Sequence, residues 1–193
     1  MGIKHQMQDF VTALLQTRIP IHYYYHDYEH TLYVCEKVIE IGKQENCTEK
    51  ELELLTVAAL WHDTGYINTY TGHEEESCVL AREYLPGYGY SADEIFTVCG
   101  MIMATKIPQT PHNILEEIIA DADLEYFGTD KALVMAHNLF MELNAINPTL
   151  TEEEWNKTEI KFLTAHRYFT VYCKANKELV KQDYLTGLIN KKA

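Results

Sequence analysis

Apolar side chains recur at three- and four-residue intervals along almost the whole chain, and the alternation that a half-buried strand requires is scarce. This pattern predicts an all-α fold, with helices over 3–17, 27–45, 49–63, 73–85, 92–105, 113–127, 130–146, 152–173 and 176–190. Three of the predicted starts carry a capping box: Thr48 with Glu51, Ser91 with Glu94, and Thr151 with Glu154. In that spacing the hydroxyl accepts from the third helical N–H while the glutamate accepts from the N-cap N–H. Pro20, Pro86-Gly87 and the pair Pro108 and Pro111 break the pattern between helices. No linker, repeat or low-complexity tract separates the segments. Residues 1–193 are therefore read as one domain, a bundle of about eight or nine helices. Residues 64–72, with Gly65, Asn68 and Gly72, are expected to form an exposed loop.

Charge and cysteine usage narrow the partners. Acidic residues number 29 against 16 basic ones, a net charge of -13. So acidic a chain repels a phosphate backbone, which excludes bulk nucleic acid as a partner. A small phosphate ester stays open, because a bound cation inverts the local field. The five cysteines show no Cys-x-x-Cys spacing, and the N-terminus lacks a basic patch followed by an apolar run. Both features point to a reducing, cytoplasmic setting. No apolar run is long enough to span a bilayer. Nothing in the sequence argues for or against a homo-oligomer.

The chemistry concentrates in a few donors. Leu60-Trp61-His62-Asp63-Thr64-Gly65-Tyr66 closes a deeply apolar helix, so His62 and Asp63 meet the core at its end. A second dipeptide, His26-Asp27, follows three tyrosines; Asp27 is read as an acid at a helix N-terminus, where the dipole favours it. From His30 an apolar stripe runs through Val34, Val38 and Ile41, which points His30 inward, with His26 one turn earlier on roughly the same face. Asp121 and Asp123 lie about 200° apart on a helix, so only one is expected to face the core. Ile119, Tyr126 and Phe127 share a face with Asp123, and periodicity selects it. A carboxylate on an apolar face needs compensation, and a cation supplies it. Imidazole and carboxylate suit a hard or borderline divalent ion, whether Mn, Co, Mg, Zn, Ni or Fe.

The order His30, His62-Asp63, Asp123 resembles the HD-domain superfamily of metal-dependent phosphohydrolases. The likeness covers roughly 22 to 128 and includes Tyr25-His26-x-x-x-His30-x-x-x-Val34, Gly72-His73-Glu74-x-x-Ser77 and Asp121-Ala122-Asp123-Leu124. The helices over 130–190 carry no motif and are expected to pack on this core. The resemblance implies an all-helical fold and a divalent metal held by His30, His62, Asp63 and Asp123, with Asp63 bridging if a second ion binds. The stretch Tyr25-His26-x-x-x-His30 also looks like the matching segment of cyclic-nucleotide phosphodiesterases. There the first histidine protonates the leaving alkoxide, a role that spacing carries to His26. The rest of that pattern is missing, and cyclic-nucleotide specificity is not expected. His73 stays open between a catalytic or second-metal role and a plain helix N-terminal residue.

The expected activity is hydrolysis of a small phosphate ester, with a nucleotide among the candidates, by a metal-activated water. His26 serves as general acid, Glu74 or Asp63 accepts a proton, and Lys106 neutralises phosphate or simply closes a helix. The alternatives are a non-catalytic metal- or nucleotide-binding regulatory module and a di-iron oxygenase, which needs extra histidines absent from the expected places. Tyr23-Tyr24-Tyr25 and Tyr84, Tyr88 and Tyr90 are candidates to stack on a base, against the commoner role of half-buried packing.

Overall fold

Ten α-helices follow one another in the computed structural model, which describes residues 3–190. They are α1 (Ile3–Arg18), α2 (Tyr28–Gln44), α3 (Glu49–Trp61), α4 (His73–Tyr84), α5 (Ala92–Ala104), α6 (Ile114–Asp123), α7 (Ala132–Ile146), α8 (Glu152–Ala165), α9 (Val171–Asn176) and α10 (Glu178–Asn190). Single 3-10 turns at Thr64–Ile67, Leu85–Tyr88 and Glu125–Gly128 tighten three of the connections, and no strand occurs among the described residues. No described helix is long and apolar enough to cross a membrane.

The three capping boxes form as their spacing requires. At α3 the Thr48 hydroxyl accepts from the Glu51 N–H at 3.3 Å while the Glu51 carboxylate accepts from the Thr48 N–H at 2.7 Å. The same reciprocal pair starts α5 and α8. Each cap contributes about 1 kcal/mol by satisfying N–H groups that a helix leaves without partners. Asp27 caps α2, accepting from Glu29 N at 2.9 Å and His30 N at 3.0 Å.

Packing follows the apolar stripes. On α2, Val34, Val38 and Ile41 are fully buried, and α3 is buried on every side from Leu52 to Trp61 apart from Glu53 and Thr56. Around them α4, α5 and α6 close the main core, with Met7, Val11 and Leu15 of α1 covering one end. Trp61 stacks on Tyr84 with ring centres 5.6 Å apart, and its indole N–H donates to the Met7 sulfur at 3.5 Å. Burial of such an indole stabilises the fold by about 3 kcal/mol. A second apolar cluster, including Tyr25, Tyr126, Phe127, Leu163 and Leu185, joins the turn after α6 to α8 and α10.

Three expectations need correction. The helix read over 152–173 is two helices, because the buried Asp121 captures the chain between them. Its carboxylate accepts from Phe169 N and Thr170 N, each at 2.8 Å, and from the Thr170 hydroxyl at 2.7 Å. The segment after Ala165 is thereby drawn extended, and Thr170 restarts the chain as N-cap of α9. The same contact overturns the view that only one of Asp121 and Asp123 faces inward: α6 is covered on both sides. Finally, the 64–72 loop is not exposed throughout, since Thr64, Gly65 and Tyr66 are buried. Gly65 lies so close to α4 that a Cβ would stand 2.0 Å from the His73 carbonyl oxygen.

Candidate metal centre

Four donors from three stretches of chain meet at one end of the main core. His30 comes from the first turn of α2, His62 and Asp63 from the turn that ends α3, and Asp123 from the last residue of α6. The turn after α3 is held by Ser77 of α4, whose hydroxyl donates to the His62 carbonyl at 2.6 Å and accepts from Gly65 N–H at 2.8 Å. His30 Nε2 lies 3.1 Å from Asp123 Oδ1 and 3.6 Å from Asp63 Oδ2. His62 Nε2 lies 3.2 Å from Asp63 Oδ2 and 3.6 Å from Asp123 Oδ1. Donors about 2.1 Å from a shared divalent ion, at tetrahedral or octahedral angles, stand about 3.0–3.4 Å from one another. Two of the observed spacings fall in this range and two, at 3.6 Å, lie just beyond it, and among the described residues His30, His62 and Asp123 form the compact three-donor set.

The donor atoms are also left wanting. His62 Nδ1 donates to the Ala59 carbonyl at 2.7 Å, which fixes the tautomer and turns the Nε2 lone pair inward. That Nε2 and Asp63 Oδ2 are buried without a hydrogen-bond partner. Such atoms are rare in a native fold, and a cation satisfies both. The charges tell the same story. Burial would lower the His62 pKa, yet Asp63 and Asp123 outweigh it and hold it well above the ordinary imidazole value. Burial likewise pushes Asp123 up, and His30 and His62 more than reverse this, bringing it to about 2. The cluster therefore draws positive charge to itself, as a proton or as a metal ion.

A cavity of about 290 Å³ opens over these donors, bordered by His26, Asp63, His73, Glu74 and Asp123 on one side. Tyr126, Phe127, Leu139, Trp155 and Phe162 form its apolar side. His73 Nε2 stands 3.7 Å from Asp63 Oδ1, the carboxylate oxygen turned away from His30 and His62, and 3.5 Å from Glu74 Oε1. Its ring stacks on Tyr66 at 3.8 Å. Lys106 ion-pairs with Glu75 and is not among the residues bordering the cavity. Of the tyrosines read as stacking candidates, Tyr25 borders the cavity, whereas Tyr84 packs on Trp61 and Phe10.

Sequence reasoning missed Glu142. This fully buried α7 residue accepts from Tyr25 N and His26 N, each at 3.0 Å, from the Tyr70 hydroxyl at 3.1 Å, and from His26 Nδ1 at 2.5 Å. His26 Nε2 is then left toward the cavity side, 3.0 Å from the Tyr66 hydroxyl. Burial lowers the His26 pKa, but the Glu142 hydrogen bond and the nearby carboxylates raise it above its ordinary value. A signal was present: Glu142 continues the stripe of Met135 and Leu139, an acid on an otherwise apolar helix face.

Comparison with known proteins places the chain in a family. The model of the HD domain matches residues 27–125, just over half of the chain. The chain belongs to the HD domain family. Three solved structures share the fold at low identity. An HD superfamily hydrolase predicted in an uncultured Thermotogales bacterium is 20% identical, with a TM-score of 0.58 over 100% of this chain and 94% of its own. Bacillus subtilis YpgQ, solved in complex with ADP, is 16% identical, with a TM-score of 0.68 over 98% of this chain and 94% of its own. Listeria innocua Lin1889 is 16% identical, with a TM-score of 0.62 over 97% of this chain and 96% of its own. No curated protein sequence matches closely enough to count as a relative. Within the HD domain, α2 to α6 and the turn after α6 carry all four donors, while Glu142 and the cavity wall from α8 lie outside the matched span.

Proposed function

We propose that this HD domain protein is a metal-dependent phosphohydrolase acting on a small phosphate ester, with nucleotides as the favoured class. The observation that carries this reading is a pairing across one cavity. A set of unsatisfied imidazole and carboxylate donors lies beside an imidazole that is fully held, with the His26 and His30 ring centres 6.1 Å apart. A cluster that only bound metal would need no such neighbour.

His30, His62, Asp63 and Asp123 would hold the ion, and Asp63, with its second oxygen toward His73, would be the bridging ligand if two ions bind. When bound there, a divalent cation lowers the pKa of a coordinated water toward neutrality and polarises a phosphoryl oxygen. Glu142 accepts from His26 Nδ1–H and favours the imidazolium, whose second proton, on Nε2, is the one given to the departing oxygen. Glu74, buried at the cavity edge, accepts the proton of the attacking water. Water adds to phosphorus, the P–O bond to the alcohol breaks, and the His26 proton leaves with that alcohol. The apolar wall of Tyr126, Phe127 and Trp155 suits a flat or hydrocarbon leaving group. The nucleotide class gains support from YpgQ, whose structure was solved with ADP.

Phosphate release from a panel of nucleotides and phosphomonoesters, with Mn²⁺, Co²⁺ or Mg²⁺, tests the reading. Metal-dependent turnover that His62→Ala removes together with metal content is the expected result. Full turnover by a metal-free His62→Ala variant would overturn it. Failure across the panel alongside tight nucleotide binding would favour a regulatory binding module instead.

A further inference from the structure

A second groove adjoins the cavity over the donors. Its volume is about 520 Å³, and it is bounded by the end of α8, the extended segment that follows, and Ile107-Pro108. The two spaces share Ile107, Thr158 and Phe162, so they lie side by side along these three side chains. Helix α8 is the common wall. Trp155 and Glu159 border the cavity, while Lys161, Ala165 and His166 border the groove. At 1.5 Å per residue, Trp155 to Ala165 spans about 15 Å.

The charge along this wall changes sign. The cavity is bordered by Asp63, Glu74, Asp123 and Glu159, whereas no carboxylate of the described residues borders the groove. The charged side chains there are Lys161 and Arg167. The Arg167 guanidinium donates to the Thr164 and His166 carbonyls, at 2.8 and 2.7 Å, and lies within electrostatic reach of Glu178 outside the groove. In a chain of net charge -13, a groove with two basic side chains and no acid runs against the composition. His166 gives an independent observation. Its Nδ1 accepts from the buried Lys181 ammonium at 3.2 Å, so the neutral ring carries its proton on Nε2. That Nε2 is buried without a partner in a residue only 8% exposed, a donor lacking its acceptor at the groove wall.

We propose that the groove is an anion subsite of the same site: the preferred ligand is a phosphate ester whose far end carries a second anionic group. The phosphoryl end sits at the metal centre, the apolar body lies along α8 past Phe162, and the far anion meets Lys161 and Arg167. The inference rests on reading the metal centre as phosphoryl-binding. It adds a length requirement and a charge requirement that the hydrolase reading does not contain.

Alkane-1,ω-bisphosphonates of increasing length, and alkyl monophosphonates of the same lengths, are titrated calorimetrically into the Mn²⁺-loaded protein. The ratio of affinities, bisphosphonate over monophosphonate, should rise with length to at least about tenfold when the span nears 15 Å. The Lys161→Ala/Arg167→Ala double variant should bring that ratio close to one, and Lys161→Glu alone should cut it severalfold. Lys157→Ala, at a site on α8 ion-paired with Glu153, should leave the ratio as it is. A ratio near one at every length, or a tenfold preference that survives the double variant, would overturn the subsite. These ligands are not hydrolysed, so the outcome is separate from the ester panel. A length-dependent preference without any turnover retires the hydrolase reading alone, and turnover without the preference retires the subsite alone.

Discussion

Two polar clusters face the same cavity and are built on opposite terms. In the His30, His62, Asp63 and Asp123 cluster, donor atoms crowd within 3.1–3.6 Å of one another, and two of them lack hydrogen bonds. Around Glu142 every contact is closed: two backbone N–H groups, a tyrosine hydroxyl and an imidazole N–H converge on one carboxylate. Burial of ionisable groups is costly in both places. The second cluster meets that cost internally, so its product is a fixed imidazole. The first cannot, so its product is affinity for an outside cation. Unsatisfied atoms thus mark where a ligand belongs, and satisfied ones mark what is held still for it.

That contrast orders the expected effects of mutation. His62→Ala opens the unsatisfied cluster and should abolish metal binding, with turnover falling by more than about a thousandfold; metal analysis and phosphate release read both. Glu142→Gln keeps the volume and removes the charge in the satisfied cluster. Metal content should persist while kcat/KM drops by about 10- to 100-fold, the usual loss when an outer partner of a working group is altered. Because Glu142 raises the His26 pKa, its loss should also move the alkaline limb of the pH–rate profile to lower pH. Unchanged metal content with an unmoved limb would remove Glu142 from the account.

Smaller effects concern the frame that carries the clusters. Gly65→Ala forces a methyl group against the His73 backbone and should cost about 3 kcal/mol in denaturant unfolding. A loss under half that would mean the turn after α3 yields easily. His166 belongs to the C-terminal half, where burial and then Lys181 bring its pKa down to about 4. The unfolded imidazole titrates near about 6.5, so between these values the unfolded state binds the extra proton and stability rises with pH. Its contribution is complete above about 6.5 and is lost as pH falls toward 4, on the order of 2 kcal/mol. Replacing it, His166→Gln, should flatten the stability curve in that window relative to wild type. An unchanged slope would assign the pH response to other groups.

Much of this was legible in the residues, for reasons that differ by element. The helix periods and the three capping boxes are local codes, and α2, α3, α4, α5 and α7 begin and end within a residue or two of their expected limits. The convergence of His30, His62, Asp63 and Asp123 was legible because each interrupts an apolar face. The break between α8 and α9 was not, since it depends on Asp121 reaching Phe169 and Thr170 from some fifty positions away in sequence. Long-range capture by a buried carboxylate leaves no local period. Asp121 was assigned outward because a single helix was weighed alone, without the segment that covers its other side. Glu142 lay in a helix with no recognised motif, and its partners His26 and Tyr25 sit more than a hundred residues upstream. Of the two readings kept for Lys106, its ion pair with Glu75 is the one a residue at a helix end makes, and only the neighbouring element supplies that partner.

The account stands or falls on one ion among four side chains. Crystals grown with Mn²⁺ and measured at the manganese absorption edge report its position without reference to activity. An anomalous peak bound by His30 Nε2, His62 Nε2 and carboxylate oxygens of Asp63 and Asp123 is the predicted result. No peak among these four residues at saturating Mn²⁺, or a peak held elsewhere on the chain, would contradict it.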